Sequence, residues 1–436
     1  MRKLQYTFTI LLASLLASPL CAQNQSSTNQ VTVTATSSKS NTKEGKEDPD
    51  LKDKEISLEM SLSKGGDLSI ENESRPITIK VWDQPKVKVT TNVSYKGDAS
   101  TLTDQDWFER LNISLKNFAG GVRLLSRGVG SGYSFSSYGS SNSVAIFNAE
   151  GKSNGTVKGK REIIINIPKD CKVEIDSKYG NVKITGTVGS AKVLMNSCNL
   201  EMENADHIYA RTKYGNITMG DVKDAEVELT SGRMKASNVD VLSTDTKYST
   251  VEISTLGKAT IKSVSDDYDL DAVSTIQGRK NYGSLRIGSL KKGIDMEGSS
   301  SDIKIRTLEA SLEEVKISSA YSDIRVPSGN LKSYSVDMQG KYNTVYASFE
   351  KVPVDDDVKT TDTKGDKGDK GDKGDKNAQA SGGYNVDNNV TIKASGTNVR
   401  FSDARDGSPR HFTAKVGDGK GAKFTINCSS CTIDFK

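Results

Sequence analysis

The sequence predicts an all-β chain: an elongated β-solenoid or β-helix-like stack of short strands, with N-terminal β-strands leading into it. Three observations predict it. First, apolar residues recur in pairs at i and i+2, as in Val182/Ile184, Ile217/Met219, Val251/Ile253 and Ile303/Ile305, the alternation of half-buried strands. Second, these pairs step along the chain at Val182, Leu200, Ile217, Met234, Val251, Leu270, Leu285, Ile303, Ile324 and Val345, about 18 residues apart, with no helical apolar stripe between them. Third, one stretch is written repeatedly: "SKYGNVKIT" at 177–185, "TKYGNITMG" at 212–220 and "TKYSTVEIS" at 246–254. A single coil of this size cannot bury its apolar pair. Stacked coils can, with ladders about 4.8 Å apart.

Composition agrees with a narrow core. The 436 residues are 34% hydrophobic, 6% aromatic and 27% charged, too polar for one large globule but adequate where most side chains face water. The net charge of +4 is interspersed rather than gathered on a face, which argues against nucleic acid as a partner.

The N-terminus reads as a secretory signal peptide over 1–22. Arg2 and Lys3 precede the apolar run "FTILLASLLASPL", and small Ala22 suits the residue before cleavage. Cys21 raises lipid attachment as an alternative, although Leu20 stands where a lipobox wants Gly or Ala. No later stretch approaches the ~20 apolar residues of a spanning helix, so no transmembrane segment is expected. Residues 23–54 are polar and read as a disordered leader. Residues 55–160 form an N-terminal β region, from alternating segments such as "ISLEMSL" and "PITIKVW", with a Gly/Ser-rich loop at 127–143. That loop is a mobile hairpin connection or, through Tyr133, Phe135 and Tyr138, a contact loop. The repeats occupy 161–349. A charged GDK-rich segment at 350–383 interrupts them as a disordered loop, its triplets too few and too poor in proline for collagen. The pattern resumes in C-terminal β coils over 384–436, through "IKASGTNVRF" and "INCSSCTIDF".

The repeated stretch is a corner between two strands. Its third and sixth positions are small, as in Ser177/Gly180, Thr212/Gly215 and Thr246/Ser249, because side chains pointing into a tight bend have no room. Asn or Asp before the next strand can bond the bend's own backbone. Between the small positions stand outward residues: Lys178/Tyr179, Lys213/Tyr214, Lys247/Tyr248, Ala320/Tyr321 and Lys341/Tyr342, with Tyr282 in a variant one residue longer. Tyr179, Tyr214, Tyr248 and Tyr282 are spaced to occupy every second coil. Two readings of this row stand side by side: rings that shield the neighbouring backbone, or a ladder of rings and ammonium groups facing a repeating polymer such as a glycan.

Cys428 and Cys431 fill the two small positions of the last corner and are expected to form a disulfide closing it. Cys171 and Cys198 fall in phase with inward residues, as buried thiols or a second disulfide. The chain has two histidines, and no nucleophile elbow, zincin, P-loop or dinucleotide motif. "SDDYDLD" places Asp267, Asp269 and Asp271 on one strand face, a calcium-type arrangement or a solvated acidic edge. No catalytic residue, metal site or cofactor is expected.

"GGDLSIENESRPITIKVWDQPKVKV" (65–89), "IIINIPKDCKVEIDSKYGNVKITG" (163–186) and the serial "KYGN"-like corners resemble the bacterial putative-adhesin family of secreted β-repeat proteins of Bacteroidetes-type bacteria, over roughly 56–349. The resemblance implies a right-handed solenoid-like fold outside the cytoplasm, and no catalytic residues. The reading that follows is a non-enzymatic protein of the periplasm, cell surface or outer membrane that binds a glycan or surface protein. The alternatives are a lyase-type polysaccharide enzyme on a β-helix and a self-associating envelope scaffold.

Overall fold

Alternation of apolar and polar residues dictates strands that bury one face, and the computed structural model of the protein is built from them. It describes residues 52–95, 100–118, 120–127, 143–147, 153–159, 162–354, 392–394, 397–399 and 410–436. The chain divides into two units, Met1–Pro49 and Asp50–Lys436, and all described residues lie in the second. The expected signal peptide and most of the Gly/Ser-rich loop fall outside the described residues, as does 355–383 of the expected GDK loop; its first residues, 350–354, are described and include a short strand paired with Thr413 and Phe412.

The N-terminal region holds β1 (Lys52–Ser61), β2 (Asp67–Glu73), β3 (Ile77–Trp82), β4 (Lys86–Tyr95), the helix α1 (Asp104–Arg110), β5 (Ile113–Phe118), β6 (Gly121–Ser126), β7 (Ser143–Phe147), β8 (Ser153–Gly159) and β9 (Ile163–Pro168). β1 runs antiparallel to β4 from Lys52 onward, so residues 52–54, expected to close a disordered leader, belong to a strand. The reason is pairing: the ladder continues to Lys52↔Tyr95, and Lys54 meets Asp104 at 2.9 Å. The helix was not foreseen. Thr103 caps it, its hydroxyl accepting from the Asp106 N–H in a reciprocal capping box, and it buries Trp107 and Phe108.

The stack proper contains β10 (Lys172–Lys178), β11 (Val182–Asn196), β12 (Leu200–Lys213), β13 (Asn216–Thr230), β14 (Arg233–Lys247), β15 (Thr250–Leu308), β16 (Glu314–Ala320), β17 (Asp323–Arg325), β18 (Tyr334–Gln339) and β19 (Thr344–Tyr346). Neighbouring coils pair in parallel, and equivalent residues form columns. Val182, Leu200, Ile217, Met234 and Val251 make one such column, all of them buried. Ile184, Met202, Met219, Ala236 and Ile253 make the next. The expected strands were short. Here hydrogen bonding continues round most bends, so that β15 is one ladder of 59 residues.

Coil order departs from chain order at both ends. β2 and β3 lie beside β10 and β11, joining residues about a hundred positions apart. After β20 (Val352–Pro353), β21 (Ile392–Ala394) and β22 (Thr397–Val399) pair antiparallel in a sheet of their own, not in parallel with the coils as the alignment of 392–401 implied. β23 (His411–Val416) runs antiparallel to β18. β24 (Ala422–Ser429) and β25 (Thr432–Asp434) then insert between the β16–β17 coil and the β18–β19 coil, pairing with both. The corner holding the cysteines is therefore not the last of the stack but the one before it. Tyr334, Phe349, Phe424 and Phe435 pack edge to face at this end of the core, with ring centroids 5.1–6.1 Å apart.

Candidate functional site

A chain winding round a narrow core must turn sharply while keeping its N–H groups paired. The corner achieves this with one residue in the left-handed region. Tyr179 is such a residue, and its N–H donates to the Asn196 carbonyl of the next coil. Ser197, next in space, donates to the Lys213 carbonyl, Tyr214 to Thr230, Ser231 to Lys247 and Tyr248 to Val264.

Followed through the stack, this position reads Ser74, Tyr179, Ser197, Tyr214, Ser231, Tyr248, Ser265, Tyr282, Ser300, Tyr321, Ser430 and Tyr342, with φ between 51° and 67°. Asn112 is the one other described non-glycine residue with positive φ. Serine and tyrosine alternate without exception. The alternation follows space, not sequence. Ser74 donates to Lys178, next to Tyr179, although 105 residues separate the two corner residues. In sequence Tyr321 is followed by Tyr342, but the C-terminal segment places Ser430 between them: Tyr321 donates to Ser429, and Ser430 to Lys341.

The six tyrosines, Tyr179, Tyr214, Tyr248, Tyr282, Tyr321 and Tyr342, are 53–72% exposed. A left-handed conformation costs an L-residue about 1–2 kcal/mol, and rings this exposed recover little of that by packing. Lys178, Lys213, Lys247 and Lys341 precede four of them and are exposed. Asn281 and Ala320 take that place before Tyr282 and Tyr321. Among the described residues the four lysines have no carboxylate partner, whereas cations on the strand faces pair across coils: Lys183 with Glu201, Lys192 with Glu174, Arg211 with Glu228, Lys262 with Asp245. Lys178, Tyr179, Lys213, Tyr214, Lys247, Tyr248 and Tyr282 thus lie on one edge of the stack, while Tyr133, Phe135 and Tyr138 of the expected contact loop lie outside the described residues. The serine half of the row was missed because its corners, such as "NSCN" and "TSGR", share the frame but lack the conspicuous Lys-Tyr pair.

Inside the bend, the two flanking positions face each other. Cys428 and Cys431 occupy them and are joined as a disulfide, with Cα atoms 6.0 Å apart. Ser177 donates to the Gly180 carbonyl across the same bend at 2.7 Å. Cys171 and Cys198 are free buried thiols, and burial pushes Cys171 up to about 12, far from reactive. The residue after the corner was expected to bond its own bend; instead it bonds the next coil: Asn181 accepts from the Asn199 N–H, Asn199 from Asn216, and Asn216 from Arg233.

Two corners hold charged residues at inner positions. Asp266 accepts from the Thr246 and Ser263 hydroxyls and from the Val264 and Ser249 N–H groups. Lys280 donates to the Ser263 hydroxyl and to the carbonyls of Asp266 and Tyr282, with its ammonium 5.4 Å from the Tyr268 ring. Burial pushes Lys280 down to about 8 against the pull of Asp266 and Asp267. The cluster is closed to solvent and every one of these groups is bonded, so it packs the core.

The acidic run resolves differently from a calcium arrangement. Asp267 accepts from the Ser284 N–H and hydroxyl. No cluster of three or more His, Cys, Asp or Glu able to hold a metal occurs among the described residues. A shallow groove on the strand face is lined by Glu226, Glu228, Asp245 and Lys262. There Glu228 accepts from Tyr209 at 2.7 Å and from Arg211 at 2.8 and 2.9 Å, bonds that hold it below the usual carboxylate range, and Asp245 is bonded to Lys262 at 2.6 Å. Glu228, held low in this way, is a poor proton donor at neutral pH.

The family model for Toastrack DUF4097 matches residues 65–362. No curated protein matches the chain. Among solved structures, a crystal structure of a "putative cell adhesion protein" from Clostridium sporogenes aligns over 87% of this chain and 98% of its own, at 9% identity and a TM-score of 0.16. At that score the likeness carries no argument.

Proposed function

The chain belongs to the Toastrack DUF4097 family, and from that premise we propose that it is a non-enzymatic binding protein of the cell surface or periplasm, a rigid β-stack that holds a surface glycan or protein along its tyrosine–lysine edge. One observation carries this reading: six exposed tyrosines stand in a strained backbone conformation at every second coil, where serine serves the fold equally well. Exposed rings at positions where serine bears the same backbone conformation point to a use for the ring itself.

The signal-peptide pattern at 1–22 supports an address outside the cytoplasm, and among the described residues no helix is long and apolar enough to cross a membrane. The engaged carboxylates of the strand face favour binding over lyase chemistry. A direct trial compares the full chain with Tyr214→Ser/Tyr248→Ser for retention on immobilised cell-envelope fractions. The variant is expected to bind about tenfold more weakly with the same melting curve. Equal retention, or turnover of a polysaccharide by the wild type, would remove the proposal. Protease treatment of intact cells tests the address: an exposed chain is cleaved, and a fully protected one cannot meet external ligands.

A further inference from the structure

Resting on that reading of the edge, we infer that its ligand is a linear acidic polysaccharide of extended, β-linked type, held from Tyr179 to Tyr248. The spacing supplies the first reason. Tyrosines return every second coil, about 9–10 Å apart at the usual ladder separation. A sugar ring in an extended β-linked chain advances by about the thickness of one coil, and successive rings are flipped. The same ring face therefore returns every second sugar, in step with the tyrosines. Serine at Ser197 and Ser231 leaves room for the intervening, oppositely facing sugars. Tyrosine offers an apolar face to the C–H side of a sugar and a hydroxyl to its polar rim.

Charge supplies the second reason. Lys178, Lys213 and Lys247 each stand one residue before a tyrosine, and none has a carboxylate partner among the described residues. They repeat with the same two-coil period, which matches one carboxylate per two sugars. The residue following the corner is Asn181, Asn199, Asn216, Arg233 and Thr250 along this part of the edge. Further on it reads Asp267, Ser284, Asp302 and Asp323, with Asn281 and Ala320 in the place of the lysines, before Thr432, Thr344 and Lys341 end the row. Three carboxylates and no lysine at these positions over this middle stretch set one limit of the footprint.

The third reason is that the alternation survives where chain order breaks. Ser430 enters from the C-terminus between Tyr321 and Tyr342. Simple duplication of a two-coil unit does not explain that placement, which lies beyond the footprint and shows that the alternation follows the finished surface rather than chain order.

The test is calorimetric titration of the full chain with β-1,4-linked oligomannuronates and hyaluronate fragments of increasing length, beside their carboxyl-reduced neutral forms. Affinity is expected to climb with length and level off at roughly five sugars, the four coil steps from Tyr179 to Tyr248. It should fall about tenfold or more for the neutral forms and for Tyr214→Ser/Tyr248→Ser, and weaken with salt. Binding that ignores length, or is equal for neutral forms, overturns the inference. So does failure of both acidic polymers to bind; if the tyrosine variant still loses retention on cell envelopes, the binding edge stands and only the ligand class falls. If the variant changes neither measurement, both fall.

Discussion

Tyr248 and Ser265 occupy the same left-handed position one coil apart, with φ of 54° and 59°, so the fold itself supplies the control for each tyrosine. Tyr248→Ser is expected to leave stability within about 0.5 kcal/mol of wild type, as for surface changes generally. A loss of 1.5 kcal/mol or more, roughly the range of a lost packing contact, would mean that the ring shields the neighbouring coil instead. Lys280 gives a second expectation at this scale. Its folded-state value of about 8 lies below the ordinary 10.5, so in that window the unfolded chain holds a proton that the folded chain lacks. Its contribution to stability therefore rises as pH climbs from 8 toward 10.5, and is least below 8. Urea midpoints measured across that window should rise more steeply in the wild type than in Lys280→Met. Parallel curves would show that the buried ammonium titrates normally. The sequence could not announce this cluster, because Asp266 and Lys280 meet only once adjacent coils are stacked.

At the scale of the element, the corner was legible and the wedge was not. Small residues at both inner positions, an outward pair between them and an apolar residue beyond were all readable from repetition. Where Gly215 closes its bend, an added Cβ would collide with the Cys198 carbonyl oxygen, so Gly215→Ala is expected to lower stability by about 1–3 kcal/mol in thermal unfolding; an unchanged midpoint would show that the bend relaxes freely. The helix left a readable trace in Thr103 and Asp106, but seven residues carry little periodicity. The insertion of β24 and β25 between earlier coils left no trace, since their apolar pattern is that of any coil and pairing partners are set by space. Removal of residues 422–436 strips β18 and β19 of their parallel neighbours. Hydrogen exchange should then accelerate across 334–346 while β11–β14 stay protected, because each coil depends on its immediate neighbours. Uniform acceleration along the stack would contradict that independence.

For the whole molecule, stacking explains the columns, the across-coil ion pairs and the continuity of the sheet, but it does not explain why serine and tyrosine alternate through twelve corners and two breaks in chain order. Fold class was readable because every coil repeats one local rule. Function was only partly readable, because the meaningful quantity is the order of corners in space. The account's central claim is that the two-coil spacing of the tyrosines is what the edge offers a ligand. The most direct measurement exchanges neighbours, comparing the wild type with Tyr214→Ser/Ser231→Tyr for retention on the same cell-envelope surface. Composition, charge and fold are kept, and only the period is broken. The account predicts an unchanged melting curve and binding weakened about tenfold. Equal binding by the exchanged variant would contradict it.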